Sequence, residues 1–494
     1  MKHLRRIALV FCLLGVALPA AATIRYTVSL AQPREHFFHV RMAVPEVNEK
    51  LSVQLPAWNA LYQIRDFAHR VREVRATAAA GSSLPVTKLD KQTWEITGKG
   101  TVTIQYSIFW DDPGPFFSQL NADSAFINFA MILFYVPDRR AEDVRLDFAD
   151  VPPTWKLAVA LRPGPTSGTF LAASYDALVD APAKLGNFEE FRFQAGRARV
   201  RVAVSGEGWS RKSLEEMLVK IVGYETQMMR DVPFDEYLFL YNFGPGGGGM
   251  EHSNCTAIGL APGSNGAGVS AHEFFHLWNV KRIRPKSLEP VDYTQEQWTR
   301  ALWFAEGVTS TYASYTLVRS GIWTSDQFYS DLAGELSALA SRPARTWQSV
   351  EQSSLDAWFE KYPLYRRSDL SISYYNKGQI LGVLLDILIR DATNNRKSLD
   401  DVMRYLNENY AQRGRTYNDS ADIQAVAEKI AGRDFSDFFR RYVAGTDELP
   451  YSEILPLAGM SLTWKQGEAV IQENARATEK QVRIREGMLK GTTD

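Results

Sequence analysis

Alternating apolar and polar positions dominate the chain from residue 23 to about residue 209. Strand-like runs bounded by turn-forming residues include Ile24 to Val28, Phe37 to Met42, Thr101 to Phe109 and Arg197 to Val204. A period of two places every second side chain on the same face of a sheet. The pattern predicts a mostly β domain over residues 23–209.

The periodicity changes after Ser210, where apolar residues recur with the spacing of one helix face. Such runs cover Ser213 to Arg230, Ser325 to Ala340, Asn376 to Arg390, Ser398 to Tyr410 and Ala421 to Ile430. The chain is therefore expected to be an α+β multidomain protein. A mainly helical domain at residues 210–450 follows the β domain, and a short extension occupies residues 451–494.

One pair of strands is expected within the helical part. Tyr237 to Tyr241 is typical of a strand, Gly244 to Gly249 of a loop, and Met250 to Leu260 of a second strand. A β hairpin is thus expected around residues 237–260. The glycines are consistent with a merely flexible turn, or with a backbone that lets a substrate approach closely, with Glu251 presented just after it.

The most informative motif is His-Glu-Phe-Phe-His at residues 272–276. On a helix, His272 and His276 point the same way, as two imidazole ligands of one metal ion must. Glu273 lies about 100° further round the helix, beside the metal, where it can act as a general base toward water. The alternative is an amphipathic helix with two hydrogen-bonded histidines.

A catalytic zinc requires a third protein ligand and an open position. Position 279 is Asn279, so the three-histidine pattern of metzincins fails and a carboxylate is favoured. Thr294 and Gln297 predict a capping box that begins a helix extending to about Arg319. Glu306 lies close to the apolar stripe of that helix, where an unpaired carboxylate is costly. Glu306 is therefore the expected third ligand, with Thr309 or Ser310 as hydrogen-bond partners of the ligand set.

Tyr374 and Tyr375 stand at the start of a strongly apolar helical run. A tyrosine at a helix start can direct its hydroxyl into a neighbouring cleft and donate a hydrogen bond to a developing oxyanion. The alternative is that these tyrosines only pack against the core.

Together these segments closely resemble the glycyl aminopeptidase family of zinc metallopeptidases, in the gluzincin group. The resemblance rests on His-Glu-Phe-Phe-His-Leu-Trp-Asn-Val-Lys-Arg-Ile-Arg-Pro (272–285) and Leu-Trp-Phe-Ala-Glu-Gly-Val-Thr-Ser-Thr-Tyr (302–312). It is supported by Gly-Gly-Met-Glu-His (248–252), Tyr-Tyr-Asn-Lys-Gly (374–378) and Val-Ala-Gly-Thr-Asp-Glu-Leu-Pro-Tyr (443–451). Weaker similarity includes Ser-Tyr-Asp-Ala-Leu-Val-Asp-Ala-Pro (174–182).

The resemblance implies a β domain against a thermolysin-like catalytic domain that holds one Zn²⁺ per chain. It implies that His272, His276 and Glu306 bind the zinc, and that Glu273 is the general base. Related gluzincin aminopeptidases also imply that Glu251 holds the substrate α-amine and that Tyr375 stabilises the transition state. Residues 248–251 would line the substrate site: Gly248, Gly249, Met250 and Glu251.

Two departures from the family pattern stand out. His252 occupies a position where those relatives have Asn, and it is not expected to bind metal because the ligand set is already complete. Many family members continue into a PDZ domain, but residues 452–494 are too few for such a module.

The N-terminus has the composition of a targeting segment. Basic residues precede the apolar run Ile7 to Leu18, and Pro19-Ala20-Ala21-Ala22 follows. This pattern predicts a signal peptide at residues 1–22, and hence a periplasmic or secreted protein without stable membrane insertion after cleavage. The mature chain would keep only Cys255, interpreted as a small buried residue.

Net charge is −1, and the sequence has no long basic run, so nucleic acid is not an expected partner. The expected partners are peptides, and nothing in the sequence indicates the oligomeric state. The favoured function is a zinc aminopeptidase that hydrolyses N-terminal residues with water activated by the metal. The family resemblance implies a preference for Gly or other small residues at that end. The alternatives are a thermolysin-like endopeptidase with an open cleft and a non-catalytic peptide-binding protein of the same fold.

Overall fold

The computed structural model describes residues 23–59, 62–361 and 369–493. The expected signal peptide at residues 1–22 lies outside these ranges. Within them, no helix is both long enough and apolar enough to cross a membrane.

The described strands are concentrated in the first half of the chain. They are β1 (Ile24–Ser29), β2 (Phe37–Val47), β3 (Lys50–Gln54), β4 (Val71–Ala78), β5 (Ser83–Leu84), β6 (Val86–Lys88), β7 (Thr93–Thr97), β8 (Gly100–Phe109), β9 (Gln119–Leu120), β10 (Ser124–Ile127), β11 (Val144–Ala149), β12 (Lys156–Val159), β13 (Arg162–Pro163), β14 (Thr169–Ala172), β15 (Ala183–Gly186), β16 (Glu189–Ala195), β17 (Ala198–Gly206), β18 (Tyr237–Phe243), β19 (Gly248–Glu251), β20 (Cys255–Leu260), β21 (Met460–Lys465) and β22 (Glu468–Glu473).

The N-terminal domain consists of three sheets around one apolar core. The largest has the order β13-β14-β11-β1-β2-β8-β4-β5, and β12-β15-β10-β9 and β3-β7-β6 form the others. In β1 the side chains of Ile24, Tyr26 and Val28 are buried, and the residues between them are more exposed. The expected alternation is therefore present, because one face of the sheet covers the core.

The described α-helices lie mostly in the second half of the chain. They are α1 (Tyr175–Val179), α2 (Arg211–Met229), α3 (Ala267–Phe275), α4 (Thr309–Arg319), α5 (Ser325–Ala340), α6 (Val350–Leu355), α7 (Ala357–Lys361), α8 (Tyr374–Ala392), α9 (Leu399–Asn409), α10 (Asp419–Ala431), α11 (Ser436–Phe438), α12 (Tyr451–Ile454) and α13 (Glu479–Lys490). Trp303–Val308 and Phe439–Val443 form π-helical segments. The predicted fold class, a mostly β domain followed by a mainly helical peptidase domain, is confirmed.

The second domain carries a five-stranded sheet of order β16-β17-β18-β20-β19. Since β16 and β17 pair with the strands of this domain, the expected division at residue 209 separates hydrogen-bonded neighbours. Sheet pairing favours a division just before Glu189.

The hairpin expected around residues 237–260 has a different topology. Strand β18 pairs with β20 in parallel, and the chain between them returns as the short antiparallel edge strand β19. The turn at residues 252–254 interrupts what was expected to be one strand from Met250 to Leu260. A direct hairpin between β18 and β20 is excluded because they run in the same direction.

The helix that carries Glu306 begins later than expected. Thr294 donates its hydroxyl to Asp292, 2.7 Å away, and Gln297 accepts from the backbone of Asp292, so the two residues cap no helix. The segment stays irregular up to Ala301, and Trp298 is 43% exposed instead of part of an apolar stripe. Here the local hydrogen bonds of Asp292 prevail over the capping pattern.

The extension after residue 451 packs on the catalytic helices. Arg319 and Arg390, both fully buried, donate to the carbonyls of Met488 and Thr492 at 2.8 Å. Helix α13 is thereby fixed against α4 and α8.

Candidate active site

The two histidines of the motif lie where the spacing placed them. His272 is in the last turn of α3 and His276 follows directly after it, with their Nε2 atoms 3.0 Å apart. Buried apolar neighbours on the same segment, including Phe274 and Phe275, hold the helix in the main core of the second domain. The exposed fraction of the side chain is 15% for His272 and 2% for His276.

Glu306 supplies the third potential ligand atom, beside those of His272 and His276. Its Oε2 lies 3.4 Å from Nε2 of His272 and 3.2 Å from Nε2 of His276. It stands in the π-helical segment Trp303–Val308, an irregularity that often occurs at functional sites. Three donor atoms from two helices thus face one point.

The other ring nitrogens are oriented by hydrogen bonds. Nδ1 of His276 is 2.6 Å from the carbonyl oxygen of Asn279, and a carbonyl can only accept, so Nδ1–H donates and Nε2 is the ring nitrogen that faces Glu306. Nδ1 of His272 is 3.3 Å from Oγ of Ser310, one of the two residues expected near the ligands. The other, Thr309, hydrogen-bonds Asn279 instead. Asn279, which sequence reasoning did not select, links the two ligand-bearing segments.

This donor set fits zinc. Two imidazoles and one carboxylate are ligands that zinc prefers, and three protein ligands leave a position open for chemistry. The hydrogen bond from Nδ1–H of His276 to a backbone carbonyl orients the ring as in a metal-binding histidine, with Nε2 turned toward the ligand group. His252 is outside the group of potential ligands found among the described residues.

The electrostatics of the site also favour a cation. Burial lowers the pKa of His272, and the neighbouring His276 lowers it further. For His276 burial also acts downward, but Glu306, Glu251 and Glu273 together outweigh it and raise its pKa to about 10. The carboxylates of these three residues surround two imidazoles, so the site attracts positive charge.

Glu273 lies beside the ligands and not among them. It is buried, and its Oε2 has no hydrogen-bond partner within the described part of the chain. Burial raises its pKa well above the usual range, and Glu251 and Glu306 add to this shift while His276 opposes it. A buried carboxyl with a free oxygen and a raised pKa is suited to accept a proton.

Gly249 makes room for Glu273. A Cβ at position 249 would lie 2.3 Å from Oε1 of Glu273, so a side chain there would displace the carboxyl. The glycine run therefore permits a close approach, although the neighbour it admits is the Glu273 carboxyl of the same chain. Gly248 does not line the cleft; its backbone lies against Phe116 of the N-terminal domain.

Tyr375 reaches the site because helix α8, which carries it, crosses the π-helical segment Trp303–Val308 in backbone contact. A Cβ at Gly307 would lie 2.5 Å from Cα of Gly378, which explains the glycine after Glu306 and the one after Lys377. This crossing places the ring of Tyr375 6.0 Å from that of His272. Tyr375 lines the cleft, whereas Tyr374 is buried in the core.

The cleft has a volume of about 410 Å³ and is lined by both domains. Eight of the nine predicted site residues line it: Gly249, Met250, Glu251, His272, Glu273, His276, Glu306 and Tyr375. Glu251, half-buried, ends strand β19, and its carboxylate lies within 4.8 Å of ligand atoms of Glu273 and His276.

Comparison with known families gives the same assignment. The model of the M61 glycyl aminopeptidases matches residues 265–381, and that of the M61 N-terminal domain matches residues 25–187. The chain belongs to the M61 glycyl aminopeptidase family. It is a zinc metallopeptidase. The N-terminal family model ends two residues before β16, where sheet pairing also favours the division.

Solved structures share the fold of this M61 peptidase. An aminopeptidase N family protein from Idiomarina loihiensis is 28% identical, with a TM-score of 0.85 over 90% of this chain and 79% of that one. An M1 zinc metallopeptidase from Deinococcus radiodurans, bound to a Tyr-Ser-Ala substrate, is 15% identical with a TM-score of 0.56 over 87% and 94%. Yeast LTA4 hydrolase in complex with bestatin is 13% identical with a TM-score of 0.52 over 89% and 70%. Among curated proteins none matches the sequence.

Proposed function

We propose that this M61 peptidase removes N-terminal residues, Gly or other small residues, from peptides. The observation that carries the proposal is the position of Glu251. Its carboxylate lies in the cleft within 4.8 Å of ligand atoms of Glu273 and His276. A protonated α-amine bound to Glu251 would therefore place the first peptide bond, and not a later one, beside the ligand cluster.

His272, His276 and Glu306 would hold one zinc ion per chain. Zinc bound there supplies a Lewis acid that polarises a carbonyl and lowers the pKa of water. Glu273 takes the proton of the attacking water through its unpartnered Oε2 and passes it to the leaving amine. Gly249 keeps this carboxyl in place because position 249 has no side chain to displace it.

Tyr375 would donate a hydrogen bond to the oxyanion that forms on the attacked carbonyl. It extends from the first turn of α8 into the cleft, beside the His272 ring. Burial keeps its pKa well above the usual range, with Glu306 and Tyr374 adding to the shift, so its hydroxyl retains the proton it must donate.

The N-terminal sequence supports export. Residues 1–22 have the basic, apolar and small-residue order of a signal peptide, so we place the mature enzyme in the periplasm or outside the cell. Cell fractionation and the N-terminal sequence of the mature protein test this assignment, since an intact Met1 in a cytoplasmic fraction would contradict it.

The function is tested by the first products formed from a five-residue peptide with a free N-terminus and Gly in the first position. Mass spectrometry at low conversion should show free Gly and the shortened peptide, and a zinc chelator should prevent both. Internal fragments as first products would instead identify an endopeptidase.

A further inference from the structure

The side chain of Asp180, in the N-terminal domain, accepts four hydrogen bonds from the second domain. It follows helix α1, and its side chain is 21% exposed. Oδ1 accepts from Nδ1 of His252 at 3.2 Å and from Nζ of Lys281 at 2.7 Å. Oδ2 accepts from the backbone N–H of Ser253 at 3.0 Å and from its hydroxyl at 2.5 Å. All four partners are donors, so both oxygens are fully used.

Three of these four donors belong to His252 and Ser253, which directly follow Glu251. Among the described strands, β19 is the last of its sheet and pairs with β20 alone. The turn at His252 and Ser253 joins these two strands, and Asp180 holds that turn through three hydrogen bonds. The position of Glu251 therefore depends on a carboxylate from the other domain.

The same carboxylate connects this turn to the helix of the metal ligands. The backbone N–H of Lys281 donates to the carbonyl of His276 at 3.1 Å, while its ammonium binds Asp180. Arg282 donates to the carbonyls of Ser253 and Leu277, at 2.9 and 2.7 Å. Lys281 and Arg282 thus join the end of the ligand helix to the turn that follows Glu251.

We propose that Asp180 is a positioning residue that sets the distance between Glu251 and the ligand cluster, and thereby makes the enzyme select substrates with a free N-terminal amine. This proposal rests on the proposed function, because it takes Glu251 as the group that binds the amine. An N-terminal domain residue would then determine which peptide bond lies at the reacting centre.

The charge of Asp180 supports this role. Burial on its own would raise its pKa, but Lys281 and His252 outweigh burial and hold the pKa far below the usual range. Asp180 is therefore held as a carboxylate that accepts from all four donors. An asparagine in its place would have the same size but would turn an amide N–H₂ toward one pair of donors.

The test measures kcat/KM for two peptides of the same sequence, one with a free and one with an acetylated N-terminus. In Asp180→Asn we expect the preference for the free amine to fall about tenfold, mainly through a higher KM for the free peptide, as for a modest displacement of a binding group. Ser253→Ala, which keeps the Lys281 contact and removes one hydroxyl, should shift the preference in the same direction by about threefold.

The matched control is Asp176→Asn. Asp176 lies one helical turn before Asp180 and accepts from Arg140 at 2.7 Å and from Tyr293 at 2.8 Å, but it contacts neither His252 nor Ser253. The Asp176→Asn variant should have a lower melting temperature and an unchanged preference for the free amine. If Asp180→Asn and Ser253→Ala both keep the wild-type preference for the free amine, the inference is wrong. If Asp176→Asn loses as much of that preference as Asp180→Asn, the loss reflects general destabilisation and the inference is also wrong. Glu251→Gln in parallel separates the two proposals: if it keeps the preference, the proposed function itself fails.

Discussion

His272, His276 and Glu306 lie on helical segments buried in one apolar core, whereas Glu251 ends a strand at the edge of a sheet. The first group is fixed by packing and by a helix crossing in which Gly307 meets Gly378. Glu251 is fixed by a turn whose contacts come from another domain. The proposed metal-binding half of the cleft is thus built within one domain, and the proposed amine-binding half requires two.

This difference separates chemistry from selection. A change in the metal-binding half should remove catalysis for every substrate, because it affects the reacting centre. A change in the amine-binding half should alter which substrates are accepted while the metal stays bound. Four substitutions test this division, in order of decreasing effect.

Glu306→Ala should have the largest effect. It removes one of three ligands, so zinc content should fall well below one per chain and activity should fall to that of chelated wild type. Metal analysis after dialysis, with activity measured on the same sample, gives the result. Full zinc occupancy in this variant would show that Glu306 is not a ligand.

Glu273→Gln should keep the metal and lose the reaction. Its Oε2 has no partner to lose, so folding and zinc content should match those of wild type. We expect kcat to fall by about 10²–10⁴-fold, the usual contribution of a general base. A variant with zinc bound and more than a tenth of wild-type kcat would assign the proton transfer to another group.

Tyr375→Phe should lower kcat by about 10²–10³-fold with little change in KM, as for the loss of one oxyanion donor. The adjacent Tyr374→Phe is the matched control, because Tyr374 is buried in the core and does not line the cleft. It should leave kcat within about twofold of wild type. Equal losses in the two variants would indicate a packing role for both rings.

The sequence predicted well what depends on local patterns. Helix α5, Ser325–Ala340, has the bounds expected from its periodicity. The helical repeat alone predicted that His272 and His276 face the same way. The prediction of Glu306 as the third ligand rested on the cost of a buried carboxylate and on the family resemblance. The capping box at Thr294 failed because the backbone N–H of Thr294, which would donate to Gln297 in a capping box, donates to the nearby Asp292 instead.

The amine-binding half was harder to predict because its contacts are distant in sequence. Asp180 is separated from His252 by 72 positions and from Lys281 by 101. The weak similarity at residues 174–182 included Asp180, but nothing in the local pattern indicated its partners. The strand topology around Glu251 was also missed, since β18 and β20 pair in parallel across an intervening edge strand.

The central claim is that Glu251 makes this zinc peptidase an aminopeptidase, and the most direct measurement is the free-amine preference of Glu251→Gln. A charge-assisted hydrogen bond to an ammonium contributes about 1.5–3 kcal/mol, which is roughly ten- to a hundredfold in kcat/KM. Wild type should strongly prefer the free peptide to its acetylated counterpart. Glu251→Gln should lose most of that preference and keep its zinc. Efficient internal cleavage of the acetylated peptide by wild type, or an unchanged preference in the variant, would contradict the account.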